Sequence, residues 1–159
     1  MSIPEPPVND PEAPIVGQMY GYIVKRPGDW VVLNADHWLY DGTGLRDGDH
    51  LVNHVGQEYD AFFPELANPG TVLLARSPVE AVIEPGERTN PYASPGIHTA
   101  SIYTAGSGAT VFSAGTFQWS WAIDELGDRS YRGVATPHDE RVGRMTRNLF
   151  DRLGDTRSS

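Results

Sequence analysis

Apolar and polar positions alternate along this chain in short bursts, with one long helical stretch reserved for the end. Gln18-Met19-Tyr20-Gly21-Tyr22-Ile23-Val24 is rich in aromatic and β-branched residues and reads as a strand. Lys25-Arg26-Pro27-Gly28-Asp29 has turn chemistry, and Trp30-Val31-Val32-Leu33 reads as a second strand, so the two predict a hairpin. Asn34 to Tyr40 leaves that strand with polar and aromatic residues interleaved. Residues 41–49 form a loop in which Gly42, Gly44 and Gly48 permit positive φ. Residues 50–63 fit a short helix or a strand, and Gly56 weakens the helix. A short buried strand is expected over 71–76 and a long Pro/Gly/Asn-rich loop over 84–97. Residues 99–103 and 110–113 make the clearest hairpin, closed by Ala105-Gly106-Ser107-Gly108. Phe117, Trp119 and Trp121 alternate at period two, which on a strand points all three rings one way and Gln118 and Ser120 the other.

The last element reads as a helix. Thr136 is placed to cap it, Pro137 suits its first position, and Asp139 lies three residues after the cap. Val142, Met145, Leu149 and Leu153 recur at helical spacing on one face, arginines fill the rest, and Gly154 is a stop signal. The pattern as a whole predicts an α+β fold, a β-rich body with hairpins and a C-terminal amphipathic helix. Pro4, Pro6, Pro7, Pro11 and Pro14 mark residues 1–16 as an extended, flexible arm. Residues 17–154 form a single domain and 155–159 a polar tail.

Composition narrows the function. A net charge of −9 with Lys25 as the only lysine leaves no basic stripe, which argues against nucleic acid and anionic membrane surfaces. No apolar run is long enough to span a bilayer, and no secretion signal is visible at the N-terminus. The absence of cysteine removes disulfides, thiolate nucleophiles and Cys-based metal centres, and suits a reducing cytoplasm.

Candidate chemistry sits in a few places. Asp36-His37-Trp38, at a strand end before a Gly-rich loop, has the make-up of an active-site rim: Asp can orient an imidazole and Trp can wall a pocket, while a structural hydrogen bond is the plainer reading. His50, His54 and Glu58 would share a helix face and could hold Zn or Fe(II), although a solvated polar face accounts for them as well. Asp60 and Glu65 are further carboxylates that nothing in the sequence pairs. Ser113, Thr116 and Ser120 are hydroxyls without a nucleophile-elbow motif around them. Trp119 and Trp121 fit core packing or a ligand surface, and Gln118 could line a polar site.

Several of these pieces, taken in order, resemble the C-terminal region of the N,N-dimethylformamidase large-subunit family. They are Gly28-Asp29-Trp30, Asn34-Ala35-Asp36-His37-Trp38, the loop from Gly42 to Asp49, Val55-Gly56-Gln57-Glu58-Tyr59-Asp60, Ala100-Ser101-Ile102-Tyr103, Ser107-Gly108-Ala109, Val111 to Trp121, and Arg144 to Leu149. The resemblance spans roughly residues 17–153. It implies kinship with class I glutamine-amidotransferase-like α/β folds and with amide hydrolysis at an iron held by tyrosines and a glutamate. Those ligands are expected upstream, around a His-Asp-Glu-Tyr-Trp-type stretch that this sequence lacks, so no metal ligand transfers to Tyr20, Tyr22, Tyr40 or Glu58. The expected function is that of an amide-hydrolase-related protein, alone or as a subunit of a split enzyme, working as a homo-oligomer or with a partner chain that supplies the upstream half. Its site would use His37 or Glu58 as base with Asp36, and Trp38, Gln118, Trp119 and Trp121 around a small-molecule substrate. A non-catalytic binding module, or a small metal-independent enzyme with an aromatic pocket, are the alternatives.

Overall fold

The computed structural model describes residues 12–82, 96–125 and 129–155. The first part of the arm, most of the expected 84–97 loop and the last residues of the tail lie outside the described residues. In chain order the elements are α1 (Ala13–Val16), β1 (Met19–Val24), β2 (Gly28–Val31), β3 (His50–Val55), β4 (Glu58–Ala61), β5 (Val72–Pro78), β6 (Ala81–Val82), β7 (Ile97–Thr104), β8 (Thr110–Ser113), α2 (Gln118–Trp121), β9 (Ser130–Tyr131), β10 (Val134–Ala135) and α3 (Glu140–Asp155). This is an α+β arrangement of small sheets with a C-terminal helix, as the sequence pattern predicts. All the described pairings are antiparallel, so the parallel sheet of an amidotransferase-like α/β fold is not formed by these residues.

The expected hairpin between the first two strands does not form. β1 pairs with β4 and β6, whereas β2 pairs with β3. The turn after Val24 separates the strands instead of folding them together, and each finds its partner farther along the chain. Residues 50–63 settle as strands, with Gly56 at the break between β3 and β4. β7 and β8 form the predicted hairpin, and β5 flanks β7 to complete a three-stranded sheet in the order β5-β7-β8. The bridge between Val32 and Ala75 ties this sheet to the β2 side.

Residues 13–16 are not free. Ala13 is buried, and the Tyr103 hydroxyl donates to the Ile15 carbonyl at 2.6 Å. The period-two reading of 117–121 is also corrected. These residues make a single helical turn, so Gln118 and Trp119 are buried while Phe117 and Ser120 are exposed. Trp119 enters the core beside Trp30 (ring centroids 5.0 Å apart) and Phe112 (5.2 Å).

The helix α3 begins later than the Thr136 cap would place it. Asp139 caps it, its carboxylate accepting from the Arg141 amide at 2.9 Å, and Thr136 is left buried ahead of it. The helix runs through Gly154 to Asp155. It buries Val142, Met145 and Leu149 against a core that includes Leu39 and Tyr40. The Asn148 side-chain amide donates to the carbonyls of Leu39 and Asp41, each at 2.9 Å, and so fixes the 3₁₀ turn Trp38–Tyr40 beneath the helix.

Candidate acid–base cleft

Strand alternation puts Glu58 and Asp60 on one face of β4. Opposite them runs the 114–117 segment. The Asp60 amide donates to the Gly115 carbonyl at 2.9 Å, and Tyr59 bridges to Thr116. Between the two lies a cleft of about 180 Å³ lined by Glu58, Asp60, Ala114, Gly115, Thr116 and Phe117.

The chain approach here depends on Gly115. Its φ is +65°, and a Cβ at this position would stand 2.8 Å from Gln18 Oε1 and 3.1 Å from His98 Nε2, besides striking the Thr99 carbonyl oxygen. Thr116 fastens the other end. Its hydroxyl oxygen accepts from the Gly56 amide at 3.1 Å and the Gln118 amide at 3.2 Å.

Asp60 is the perturbed carboxyl of the cleft. Burial, reinforced by the negative charges of Glu58 and Glu12, pushes its pKa up to about 6. A carboxyl that binds and releases a proton near neutrality, next to a second carboxylate, is the arrangement used for general acid–base work. The sequence left these two carboxylates unpaired because the strand over residues 58–61 was undecided. Once β4 is a strand, the Glu-x-Asp spacing is the signal.

The other predicted site residues lie elsewhere. Asp36 is exposed. His37 caps the 3₁₀ turn, its Nδ1 accepting from the Leu39 amide at 3.2 Å, and burial lowers its pKa. Trp38 packs beside the His37 ring at 4.8 Å, and the Arg152 guanidinium sits 5.9 Å from its ring centroid. None of Asp36, His37, Trp38, Trp119 and Trp121 lines the Glu58–Asp60 cleft. Trp119 is a core residue, and Trp121 borders a separate polar cleft with Asp124, Arg129 and His138.

Gln118 lies directly behind the cleft wall. It is fully buried against Gly56, and neither atom of its amide group has a hydrogen-bond partner among the described residues. His50, His54 and Glu58 do not converge. His50 is exposed and bonds Asp29 at 3.0 Å, and buried His54 donates from Nδ1 to the Val52 carbonyl at 2.6 Å.

The described residues do not fit an iron centre of tyrosines and a glutamate. The hydroxyl of Tyr40 is bonded to the Leu74 carbonyl, that of Tyr59 to the Gly96 amide, and that of Tyr131 to the Val24 carbonyl. Burial raises the pKa of Tyr40 and Tyr59, which opposes the tyrosinate form that ligation needs. Among the described residues no group of three or more His, Asp or Glu side chains gathers as a metal site.

Comparison with known proteins agrees with the motifs from Gly28 to Trp121, while the Arg144 to Leu149 piece lies outside the matched residues. The family model described as N,N-dimethylformamidase beta subunit-like, C-terminal, matches residues 4–135. The match takes in most of the Pro-rich segment and stops before α3. No curated protein matches the chain.

Proposed function

The chain belongs to the N,N-dimethylformamidase beta subunit-like, C-terminal family, and from that premise we propose that it takes part in hydrolysis of a small carboxamide, with Glu58 and Asp60 as its acid–base pair. The observation that carries this reading is the placement of two carboxylates in one cleft, one of them holding its proton up to about pH 6.

In this reading the Glu58 carboxylate accepts a proton from water as the water oxygen bonds to the amide carbon. Protonated Asp60 then donates to the leaving nitrogen as the C–N bond breaks, giving a carboxylic acid and an amine. Gly115 and Thr116 keep the opposite wall at a fixed distance, and Phe117 presents an apolar edge to substrate.

The cleft is below the range of about 300–1,000 Å³ usual for enclosed ligand pockets. This supports action within an assembly, in which a partner chain encloses the substrate and supplies the rest of the site. A second reading, a binding module without chemistry of its own, draws on a different feature. An apolar groove of about 620 Å³ runs between β8 and α3, away from both carboxylates.

The test is native mass spectrometry of the protein from its own host, followed by amine release from a panel of small amides. Turnover that is lost in Glu58→Gln and Asp60→Asn, with folding intact, supports the hydrolytic reading. Turnover indifferent to both substitutions, or an inert homomer, moves the conclusion to the binding module.

A further inference from the structure

A cavity of about 320 Å³ opens away from the acid–base cleft. Alternation along β4 places Ala61 on the strand face opposite Glu58 and Asp60, and Phe62, Phe63 and Pro64 continue from it as one wall. The other wall is the sheet of β5 and β7. There Arg76 stands directly across from Thr99, and Leu73 across from Ser101. The register slips between Leu73 and Ala75, so Leu73 and Arg76, three residues apart, come to share a face.

Two polar groups in this otherwise apolar cavity lack partners. Thr99 is 4% exposed, and its hydroxyl has no hydrogen-bond partner among the described residues. Buried hydroxyls are nearly always bonded, so one left over beside a cavity points to a ligand that completes it. Arg76 is exposed at the mouth and makes no ion pair among the described residues, in a chain whose net charge is −9.

We propose that this cavity binds a small hydrophobic carboxylate, an aryl or branched-alkyl acid, whose carboxylate is held by Arg76 and the Thr99 hydroxyl and whose apolar end packs on Phe62, Phe63 and Leu73. A single guanidinium fork matches a carboxylate in a bidentate pair, and the hydroxyl supplies a third donor. A neutral apolar molecule would leave both polar groups unmet. Inorganic phosphate would waste the aromatic walls and find one cation where it needs more. This site stands independently of the amide-hydrolase reading, because it uses the other side of β4.

The experiment is a titration of the full chain with benzoate, followed by NMR shifts of Thr99, Leu73 and the Phe rings, with benzamide and inorganic phosphate in parallel. Benzoate should produce saturable shifts at these residues. Arg76→Gln, at an exposed position, should weaken it by about tenfold or more. Benzamide should bind as weakly as benzoate does to that variant. Thr99→Val keeps the side-chain shape and should weaken benzoate without lowering the melting temperature, whereas Glu58→Gln should leave benzoate binding unchanged. Absence of saturable shifts, equal binding of benzoate and benzamide, phosphate competing as well as benzoate, or indifference to Arg76→Gln would each overturn the proposal.

Discussion

Replacing Asp60 with Asn should make the protein more stable at alkaline pH. The Asp60 pKa rises from 3.8 to about 6 on folding, and burial is the main cause. The sign runs opposite to that of a salt-bridged aspartate. The fold favours the neutral carboxyl, so this contribution is complete below pH 3.8 and is lost as pH rises through about 6. About two pKa units at about 1.4 kcal/mol each set an upper bound of roughly 3 kcal/mol. Asp60 is half-buried, and solvent screening brings the expected value to about 1–2 kcal/mol. Asn imitates the neutral acid, so Asp60→Asn should raise the melting temperature by about 2–8 °C near pH 8. The difference should shrink toward zero near pH 3.5, below the unfolded-state value of 3.8, where the acid is largely uncharged whether the chain is folded or not. Thermal melts of the two proteins at both pH values are the assay. Glu58→Gln should narrow the gap without closing it, because burial outweighs the like charge. A variant less stable than the parent at pH 8, or a gap of equal size at both pH values, would refute the assignment. If the acid–base reading also holds, the same substitution gains stability and loses turnover, the trade expected of a functional carboxyl.

Other perturbations probe the frame around the cleft. His98 is fully buried, with Nε2 3.0 Å from the Ala114 carbonyl and Nδ1 3.2 Å from Ser77 Oγ, and burial drops its pKa to about 4. A lowered histidine stabilises fully above pH 6.5 and loses that as pH falls toward 4, so acid melts should show a loss of up to about 3 kcal/mol that His98→Gln flattens. Gly115→Ala should destabilise by more than about 3 kcal/mol, since it combines a positive φ with a backbone collision; a denaturant midpoint close to that of the parent would contradict the geometry. Trp119→Ala should cost about 3–5 kcal/mol in the same measurement by emptying the space between Trp30 and Phe112.

The parts of the fold legible in the sequence were those in which neighbours along the chain are also neighbours in space. The β7–β8 hairpin and α3 are both local, and their periodicities carried enough information. β1 and β2 failed as a hairpin because a turn composition says that the chain bends, not which strand it meets. β1 pairs Ile23 with Glu58, far along the chain, and no local signal encodes that choice. Phe117, Trp119 and Trp121 misled for a related reason. Three large residues at period two fit a strand, but Trp119 alone finds a cavity between aromatic partners, and a helical turn delivers it there. His37 lies away from the Glu58–Asp60 cleft, its Nδ1 lone pair taken up by the Leu39 amide, a contact that the residue type does not reveal. The raised proton affinity of Asp60 was unreadable because it comes from burial and from Glu12 and Glu58, of which only Glu58 is close in sequence.

The helix α3 lies beyond the family-matched residues and yet closes the core over Leu39 and Tyr40. During synthesis it emerges after every strand it covers. Until then the growing chain carries an open apolar seam, with the 3₁₀ turn at 38–40 lacking the amide of Asn148 to hold it. Chains are made at about 5–20 residues per second, so the seam stays uncovered for a second or more while the remaining residues are added. That interval is when a nascent chain is open to chaperones, to proteolysis and to another copy of itself on the same message. Closure of the core over Leu39 and Tyr40 is thereby deferred to one late segment, the turns that carry Val142, Met145 and Leu149.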